Sequence, residues 1–270
     1  MKAHAWRFID TGPLCGSANM AIDESLLNFY NSKSSNPILR FYGWKPAFLS
    51  LGRFQVADEV LDLKRCRADR IPVVRRISGG GVIFHADELT YSLVCSSEQI
   101  PPASSVKDSF RFLTGFLIDF YRSLGLNASY AIDTVSVFER LGTRTAFCFA
   151  GKETFDILID GVKIGGNAQR RQKNIIFQHG SIPIVNHALT GLSYMLDRSP
   201  EYVQGATSLL ECGISSDATV LKTKLVEAFK RRMNVEVLES QLSHEEQQLS
   251  QQLINSKYTT DRWNLQGVAG

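Results

Sequence analysis

The most distinctive stretch of the chain is Val73-Val74-Arg75-Arg76-Ile77-Ser78-Gly79-Gly80-Gly81-Val82-Ile83-Phe84-His85, which continues to residue 94. Its branched and aromatic residues predict a strand, a glycine turn and two further strands. Glycines have no Cβ, so the backbone at Gly79, Gly80 and Gly81 can take positive φ and let a ligand lie on its N–H groups. The preceding arginines offer planar donors suited to phosphate or carboxylate, and His85 adds a polar tip. We therefore predict a ligand-contact loop, with a purely structural glycine hairpin as the alternative.

This loop differs from a nucleotide-binding P-loop. No Gly-Lys-Ser/Thr follows the glycines. The residues that do follow predict a strand rather than a helix whose N-terminus could face a phosphate. The loop is therefore suited to a ligand other than the triphosphate of a P-loop enzyme.

Length and composition favour a single enzyme-sized core. The chain has 270 residues, of which 44% are hydrophobic, and its 30 basic and 27 acidic residues give a net charge of +3. This near balance gives no electrostatic case for nucleic-acid binding. Residues 1–7 lack the apolar core of a signal peptide and no stretch is long enough to span a membrane, so we expect a cytoplasmic protein. The five cysteines show no CxxC pair, which argues against disulfides and a metal site.

The remaining pattern predicts one α/β domain. Helices are expected at residues 17–27, 59–70, 106–124 and 219–233, and a capping pattern at Ser243 opens a terminal helix. Two adjacent strands are expected at residues 37–44 and 47–52. We interpret Cys66 and Cys95 as small buried hydrophobes.

A hairpin is predicted at residues 155–170, with its turn at Asp160-Gly161. Strand alternation places Lys163 between two apolar neighbours, so its ammonium is expected to project alone from an apolar edge. A solvated surface lysine is the alternative. Gly165 and Gly166 follow at once and clear side chains from the backbone, as a ligand site requires.

The stretch from Arg75 to His85 resembles the signature of the lipoate-protein ligase and octanoyltransferase superfamily, which is related in fold to biotin protein ligases. The resemblance implies an α/β (α+β) catalytic domain with mixed, mostly antiparallel sheets flanked by helices in residues 1–214. A short helical extension in residues 215–270 would pack on it. An acyl-binding tunnel would be walled by the glycine loop and His85. The substrate-binding residues that the resemblance implies are Arg75, Arg76, Ser78, Gly79, Gly80, Gly81, His85, Gly165, Gly166, Asn167 and His179.

Within the superfamily, Cys148 separates two classes of enzyme. The segment Phe147-Cys148-Phe149, followed fifteen residues later by Lys163, is similar to the cysteine-dependent octanoyltransferases. This implies that Cys148 is the nucleophile and that Lys163 stabilises its thiolate and the oxyanion. The sequence departs from that branch at Asn167, a position where the branch more often has a serine. The implied reaction, in lipoate biosynthesis, moves an octanoyl group from octanoyl-acyl carrier protein to the lysine of a lipoyl domain through a thioester on Cys148.

The transferase reading implies no cofactor and a monomer whose recipients are lipoyl domains or the glycine cleavage H protein. One alternative is an ATP-dependent lipoate ligase, which would need ATP and Mg²⁺ and, given that only about 55 residues follow residue 215, an accessory domain on a separate chain. Another is a noncatalytic acyl-binding or lipoyl-domain-binding module. That module predicts a missing nucleophile or lysine, and the sequence has both.

Overall fold

The computed structural model describes residues 5–101, 105–134, 153–199, 205–215 and 217–268. Its strands are β1 (Ala5–Leu14), β2 (Ile38–Trp44), β3 (Phe48–Leu51), β4 (Val73–Arg75), β5 (Ile83–His85), β6 (Glu88–Ser96), β7 (Ala128–Tyr130), β8 (Ile157–Ile159), β9 (Val162–Ile164), β10 (Gly166–Gln172), β11 (Ile175–Pro183), β12 (Ala206–Thr207) and β13 (Glu236–Glu239). Its α-helices are α1 (Gly16–Phe29), α2 (Ala57–Val60), α3 (Leu63–Ala68), α4 (Val106–Ser123), α5 (Ala131–Thr134), α6 (Ala188–Leu192), α7 (Ala218–Met233), α8 (His244–Leu253) and α9 (Asp261–Asn264). A 3₁₀ turn at Ser97–Gln99 and a π-helical turn at Ile254–Tyr258 complete the set.

The main sheet has the strand order β10-β11-β6-β2-β1-β13. β6 is antiparallel to β2 and β11, whereas β1 is parallel to β2 and β13. Every residue of β2 and β6 is buried, as expected for central strands covered on both faces. Helices α4 and α7 pack together on one face, and α1 and α8 pack together on the other. This is the predicted arrangement of mixed, mostly antiparallel sheets flanked by helices.

A small sheet of order β4-β3-β5 carries the glycine loop. Strand β3 is parallel to β4 and antiparallel to β5, so these two strands each pair with β3 and not with each other. The glycine loop is therefore a connection that crosses the end of β3, and the alternative of a simple glycine hairpin is wrong.

A second small sheet, of order β12-β9-β8-β7, carries Lys163. The predicted hairpin is confirmed: β8 and β9 are joined by Asp160 and Gly161, which have φ of 47° and 84°. Gly165, with φ of 70°, then bends the chain from β9 into β10 at the edge of the main sheet. A Cβ at Gly165 would lie 2.1 Å from the carbonyl oxygen of Ser181, so the bend requires glycine.

The long helices follow their sequence patterns closely. Helices α4 and α7 lie where periodicity predicts them, and Ser243 and Glu246 form the expected capping box of α8. Residues 59–70 form the separate helices α2 and α3 instead of one, because Asp62 caps α3 by accepting a hydrogen bond from the N–H of Arg65. The predicted adjacency of strands 37–44 and 47–52 is also wrong, since β2 belongs to the main sheet and β3 to the small one.

The C-terminal residues add more than helices to this core. Strand β13 extends the main sheet by pairing in parallel with β1, which the prediction of a helical extension missed. Helix α7 packs on α4 and α8 on α1. Among the residues that the structure describes, no helix is long and apolar enough to cross a membrane.

A buried ion pair ties α1 to the centre of the main sheet. The guanidinium of Arg40 lies 2.7 Å from the carboxylate of Asp23, and both side chains are almost fully buried. Asp23 also accepts hydrogen bonds from the hydroxyls of Tyr42 and Ser92. Burial and the neighbouring Asp23 carboxylate raise the pKa of Tyr42 well above its usual value. Each charged group of the pair therefore depends on the other to remain buried.

Candidate active site

The glycine loop is held in one conformation by its neighbours. Of its three glycines, Gly80 has positive φ, at 101°. Arg76 stabilises the loop, because its Nη2 donates to the carbonyls of Gly79 at 3.1 Å and Gly81 at 2.9 Å. Gly52 lies so close that a Cβ there would stand 1.9 Å from the carbonyl oxygen of Gly80. The loop is thus positioned by a buried arginine and by a glycine on the neighbouring strand's end.

His85 is fixed by a chain of buried hydrogen bonds. Its Nε2 lies 2.6 Å from the hydroxyl of Ser50, which accepts from Arg76 Nη1 at 2.6 Å. Its Nδ1 lies 2.8 Å from Glu88. A carboxylate accepts hydrogen bonds, so Nδ1–H donates to Glu88. The imidazole ring also stacks on the Trp44 ring, with the two ring centroids 3.8 Å apart. His85 therefore presents its ring, rather than a free nitrogen, to the site.

Glu88 is the centre of this network. Besides His85, it accepts hydrogen bonds from the hydroxyls of Thr90 and Ser181. The Thr90 hydroxyl in turn accepts from the Trp44 indole N–H at 2.8 Å. Glu88 was not among the predicted site residues, although its position three residues after His85 was a usable signal.

His179 faces the same space from β11. Its Nε2 lies 2.6 Å from the hydroxyl of Ser78, at the start of the glycine loop. Burial first, and then the charge of Arg76 and the neighbouring His85, lower the pKa of His179 well below its usual value. His179 is therefore neutral at pH 7 and links the loop to the main sheet as a hydrogen-bonding group.

Lys163 lies in β9 and forms a buried ion pair. Its Nζ is 2.6 Å from Asp156 Oδ2, and the two side chains are 3% and 11% exposed. Asp156 also accepts from the N–H of Glu153 at 2.7 Å. The interpretation that this ammonium projects alone is wrong, because β12 covers the edge of β9 and Asp156 supplies the counter-charge. A buried ammonium without such a partner would be strongly unfavourable.

A cavity of about 30 Å³ lies between β5, β10 and β11, with room for about two water molecules. Of the residues predicted to contact substrate, its walls contain Arg76, Gly80, His85, Gly166, Asn167 and His179. The amide oxygen of Asn167 accepts from the Tyr91 hydroxyl at 2.7 Å. Thr90 and Ser181, which contact Glu88, line it as well. The cavity thus joins the glycine loop to the Gly166 segment, two parts of the sequence that were singled out separately.

Other predicted residues lie outside the walls of this cavity. Gly79 and Gly81 contribute the carbonyls that Arg76 holds, Ser78 orients His179, and Gly165 makes the bend before β10.

Arg75 has a different set of contacts. The structure does not bring it to this cavity, since its guanidinium donates to the backbone carbonyls of Gly52, Gln55, Trp263 and Leu265. Arg75 is the last residue of β4 and Arg76 follows it, and the Arg76 guanidinium instead donates to Ser50, Gly79 and Gly81. Arg75 therefore holds the C-terminal residues in place.

Three of the five cysteines were given a role or an interpretation from the sequence. Cys148, the candidate nucleophile, lies outside the described residues. Cys66 and Cys95 are buried, and burial raises their pKa to about 11 and about 12. Both are thiols at neutral pH, which confirms their interpretation as buried hydrophobes. Among the described residues no cluster of His, Cys, Asp or Glu could hold a metal ion.

Comparison with known proteins identifies the family. The profile of the lipoyl protein ligase A/B catalytic domain matches residues 16–243. The chain belongs to this family.

Among characterised relatives, the chain is similar to octanoyltransferase LipM of Bacillus subtilis (strain 168), with 32% identity over 277 residues that cover 98% of this chain and 99% of the relative. Among solved structures, it is similar to a lipoate-protein ligase A bound with ATP, with a TM-score of 0.81 and 21% identity over 99% of this chain and 100% of the other. It also matches a putative lipoate protein ligase from T. acidophilum with bound lipoic acid, with a TM-score of 0.79 and 25% identity over the whole of both chains. The fold is therefore that of the lipoate protein ligases.

Proposed function

We propose that this protein is an octanoyltransferase that moves an octanoyl group from octanoyl-acyl carrier protein to the lysine of a lipoyl domain or of the glycine cleavage H protein. The observation that carries the proposal is the similarity to octanoyltransferase LipM over nearly the full length of both chains. The likeness to ligase structures supports the fold and does not by itself favour ligase chemistry.

The chemistry begins at Cys148. Its thiolate attacks the carbonyl carbon of the donor thioester, and the carbonyl oxygen becomes an oxyanion. Collapse of this intermediate breaks the bond to the donor sulfur, which leaves as a thiolate and takes up a proton. The octanoyl group is then held as a thioester on Cys148.

Lys163 is suited to assist this step. Its ammonium is buried and held by Asp156, which is itself fixed to the backbone N–H of Glu153. In the sequence, Cys148 precedes Glu153 by five positions. A fixed positive charge in a site that excludes water stabilises a thiolate and a developing oxyanion far more than it would in bulk solvent.

The second step transfers the group to the recipient. The neutral amine of the recipient lysine attacks the thioester carbon, loses a proton and forms an amide, and the Cys148 thiolate is released. The step is favourable because an amide has more resonance stabilisation than a thioester. The octanoyl group arrives already activated, so neither ATP nor Mg²⁺ is consumed.

The test is octanoyl transfer to a lipoyl domain in the absence of ATP, followed by intact-protein mass spectrometry of the acceptor. Octanoyl-acyl carrier protein is the donor, and EDTA and apyrase remove Mg²⁺ and residual ATP. We expect the acceptor to gain one octanoyl group, at the same rate with and without ATP. Transfer that occurs only from free octanoate with ATP would contradict the proposal and favour the lipoate ligase.

The role of Lys163 is tested with two variants. Lys163→Met should slow transfer by about 100-fold or more, because removing one group that stabilises an oxyanion typically has this effect. Lys222→Met is the matched control, because that lysine also pairs with an aspartate, Asp10, but is partly exposed. Equal rates for the parent and Lys163→Met would exclude Lys163 from the chemistry.

A further inference from the structure

Two arginines bracket the start of the glycine loop. The backbone N–H of Arg53 donates to the carbonyl of Ser78 at 2.8 Å, and Nη1 of Arg170 donates to the carbonyl of Ile77 at 3.0 Å. The two residues belong to separate elements: Arg53 follows β3 and contacts the loop through its backbone, and Arg170 lies on β10 and contacts it through its side chain. Both residues are half-buried.

The contacts given for these two guanidinium groups engage only some of their N–H donors. Within the described ranges, the Arg53 side chain donates from Nη1 to the carbonyl of Gly267 at 2.8 Å, and the Arg170 side chain donates to the carbonyl of Ile77. In the described part of the chain neither arginine forms an ion pair with a carboxylate. Each guanidinium has five N–H donors in a planar fork, so several remain for a ligand.

The surroundings are strongly positive. The guanidinium of Arg53 lies 4.6 Å from the ring centre of Trp263, and Nζ of Lys257 lies 3.9 Å from the same ring. Burial first, with added repulsion from Arg170 and Arg53, lowers the pKa of Lys257, against the opposing pull of its partner Glu24. Among the described residues, Glu24 forms an ion pair with Lys257, and no ion pair neutralises the charges of Arg53 and Arg170. Such a cluster attracts an anionic group.

Strand β10 connects this cluster to the cavity. Successive side chains alternate, so Gly166, Ala168 and Arg170 lie on one face of β10, and the first two line the cavity. Four residues of antiparallel strand place Arg170 about 14 Å from Gly166. Gly166 itself follows Lys163 by three positions.

This spacing fits the donor's prosthetic arm. The phosphopantetheine arm has thirteen bonds between its sulfur and its phosphorus. An extended polypeptide advances about 3.5 Å for every three backbone bonds, so an extended arm of thirteen bonds spans about 15 Å. With the thioester at the Gly166 end of the cavity, the phosphate therefore reaches the arginines. Arg forks match phosphate oxygens in geometry as well as charge.

We propose that Arg53 and Arg170 form a binding site for the phosphate of the 4′-phosphopantetheine arm that carries the acyl thioester. The proposal rests on the proposed function, since it names how the same site recognises its donor. Carrier proteins and coenzyme A both present this phosphate, so the shared group is what the arginines recognise.

The test compares octanoyl-4′-phosphopantetheine with octanoyl-pantetheine, which differ only in the phosphate. The measured quantity is the ratio of the two values of kcat/KM for octanoyl-enzyme formation, followed by intact-protein mass spectrometry. Charge-assisted hydrogen bonds to a phosphate are expected to give a ratio of about 10 or more. Arg53→Gln and Arg170→Gln should each lower this ratio several-fold, and the double variant should bring it close to one.

Arg67→Gln is the matched control, because Arg67 is an exposed arginine on α3, and it should keep the parent ratio. A parent ratio near one, or a ratio unchanged in the double variant, would overturn the phosphate site while leaving the transferase proposal standing. No octanoyl-enzyme from either thioester would instead count against the proposed function.

Direct binding then decides the phosphate site independently of chemistry. By titration calorimetry, 4′-phosphopantetheine should bind the parent more tightly than pantetheine, and the double variant should lose that difference. Equal affinities would overturn the proposal.

A last comparison tests whether the arginines recognise the phosphate itself or the carrier protein around it. Substitution of both arginines should slow loading from octanoyl-coenzyme A and from octanoyl-acyl carrier protein alike. Slower loading from the carrier protein alone would mean that the arginines recognise the acidic protein surface, and this would also overturn the phosphate assignment.

Discussion

The position of the glycine loop can be tested without changing the loop itself, by the substitution Gly52→Ala. The new Cβ would stand 1.9 Å from the carbonyl oxygen of Gly80, about 1.5 Å short of an ordinary contact. Backbone atoms cannot rotate away, so the loop must retreat by a comparable distance. Displacement of a catalytic site by about 1 Å can cost about 100-fold in rate. We therefore expect octanoyl-enzyme formation to fall by about that factor.

The fold should survive this change. Overpacking of this kind costs about 1–3 kcal/mol, which lowers Tm by about 2–10 °C for a chain of this size. The assay is the initial rate of octanoyl-enzyme formation by mass spectrometry, with Tm measured by differential scanning fluorimetry on the same sample.

Gly43→Ala is the matched control. It adds the same methyl group to a buried strand glycine where the nearest atom lies at 3.4 Å. This variant should load at close to the parent rate. If Gly52→Ala is folded and also loads at the parent rate, the position of the glycine loop has no bearing on acyl transfer, and the reasoning is refuted.

Two further predictions concern stability. Because the pKa of His179 is lowered in the folded state, the unfolded chain binds a proton below pH 6.5 that the folded chain does not, and stability falls as the pH drops. Between pH 6.5 and 5.5 the parent should lose about 1 kcal/mol more unfolding free energy than His179→Gln in urea titrations, and equal losses would disprove burial of a neutral imidazole. Asp23→Ala leaves the buried Arg40 without its carboxylate and should cost about 3–5 kcal/mol, whereas Asp133→Ala, which removes an exposed partner of Arg111, should cost about 0–1 kcal/mol. Similar losses for both aspartate variants would contradict the account of the buried pair.

Local sequence signals predicted the local structure well. The apolar period of α4, the capping box at Ser243 and the turn at Asp160-Gly161 each depend on a few neighbouring residues, and all three are confirmed. The resemblance of residues 75–85 to the family signature likewise identified the fold.

Contacts between distant segments could not be predicted in the same way. Strand pairing decides that β3 separates β4 from β5, and nothing in the local pattern reports it. The same limit applies to the ion pair of Lys163, whose partner Asp156 lies across the hairpin. It applies also to the neighbours Arg75 and Arg76, because Arg75 binds carbonyls of the C-terminal residues whereas Arg76 binds the glycine loop.

The candidate site was predicted in part. Arg76, His85 and His179 were predicted from the sequence and do line one cavity. The role of Glu88, which accepts hydrogen bonds from His85, Thr90 and Ser181, depends on contacts among β5, β6 and β11. The role of Cys148 remains a prediction from the sequence.

Locating the octanoyl group on the enzyme is the most direct test of the proposed mechanism. The protein is mixed with octanoyl-acyl carrier protein without ATP, quenched in acid, digested with trypsin and mapped by tandem mass spectrometry. We predict one octanoyl group, labile to hydroxylamine as a thioester is, on the peptide containing Cys148, and none on the peptides containing the buried Cys66 and Cys95. An octanoyl group on any other residue, or an unchanged yield of octanoyl-enzyme from Cys148→Ala, would contradict a mechanism that passes through Cys148.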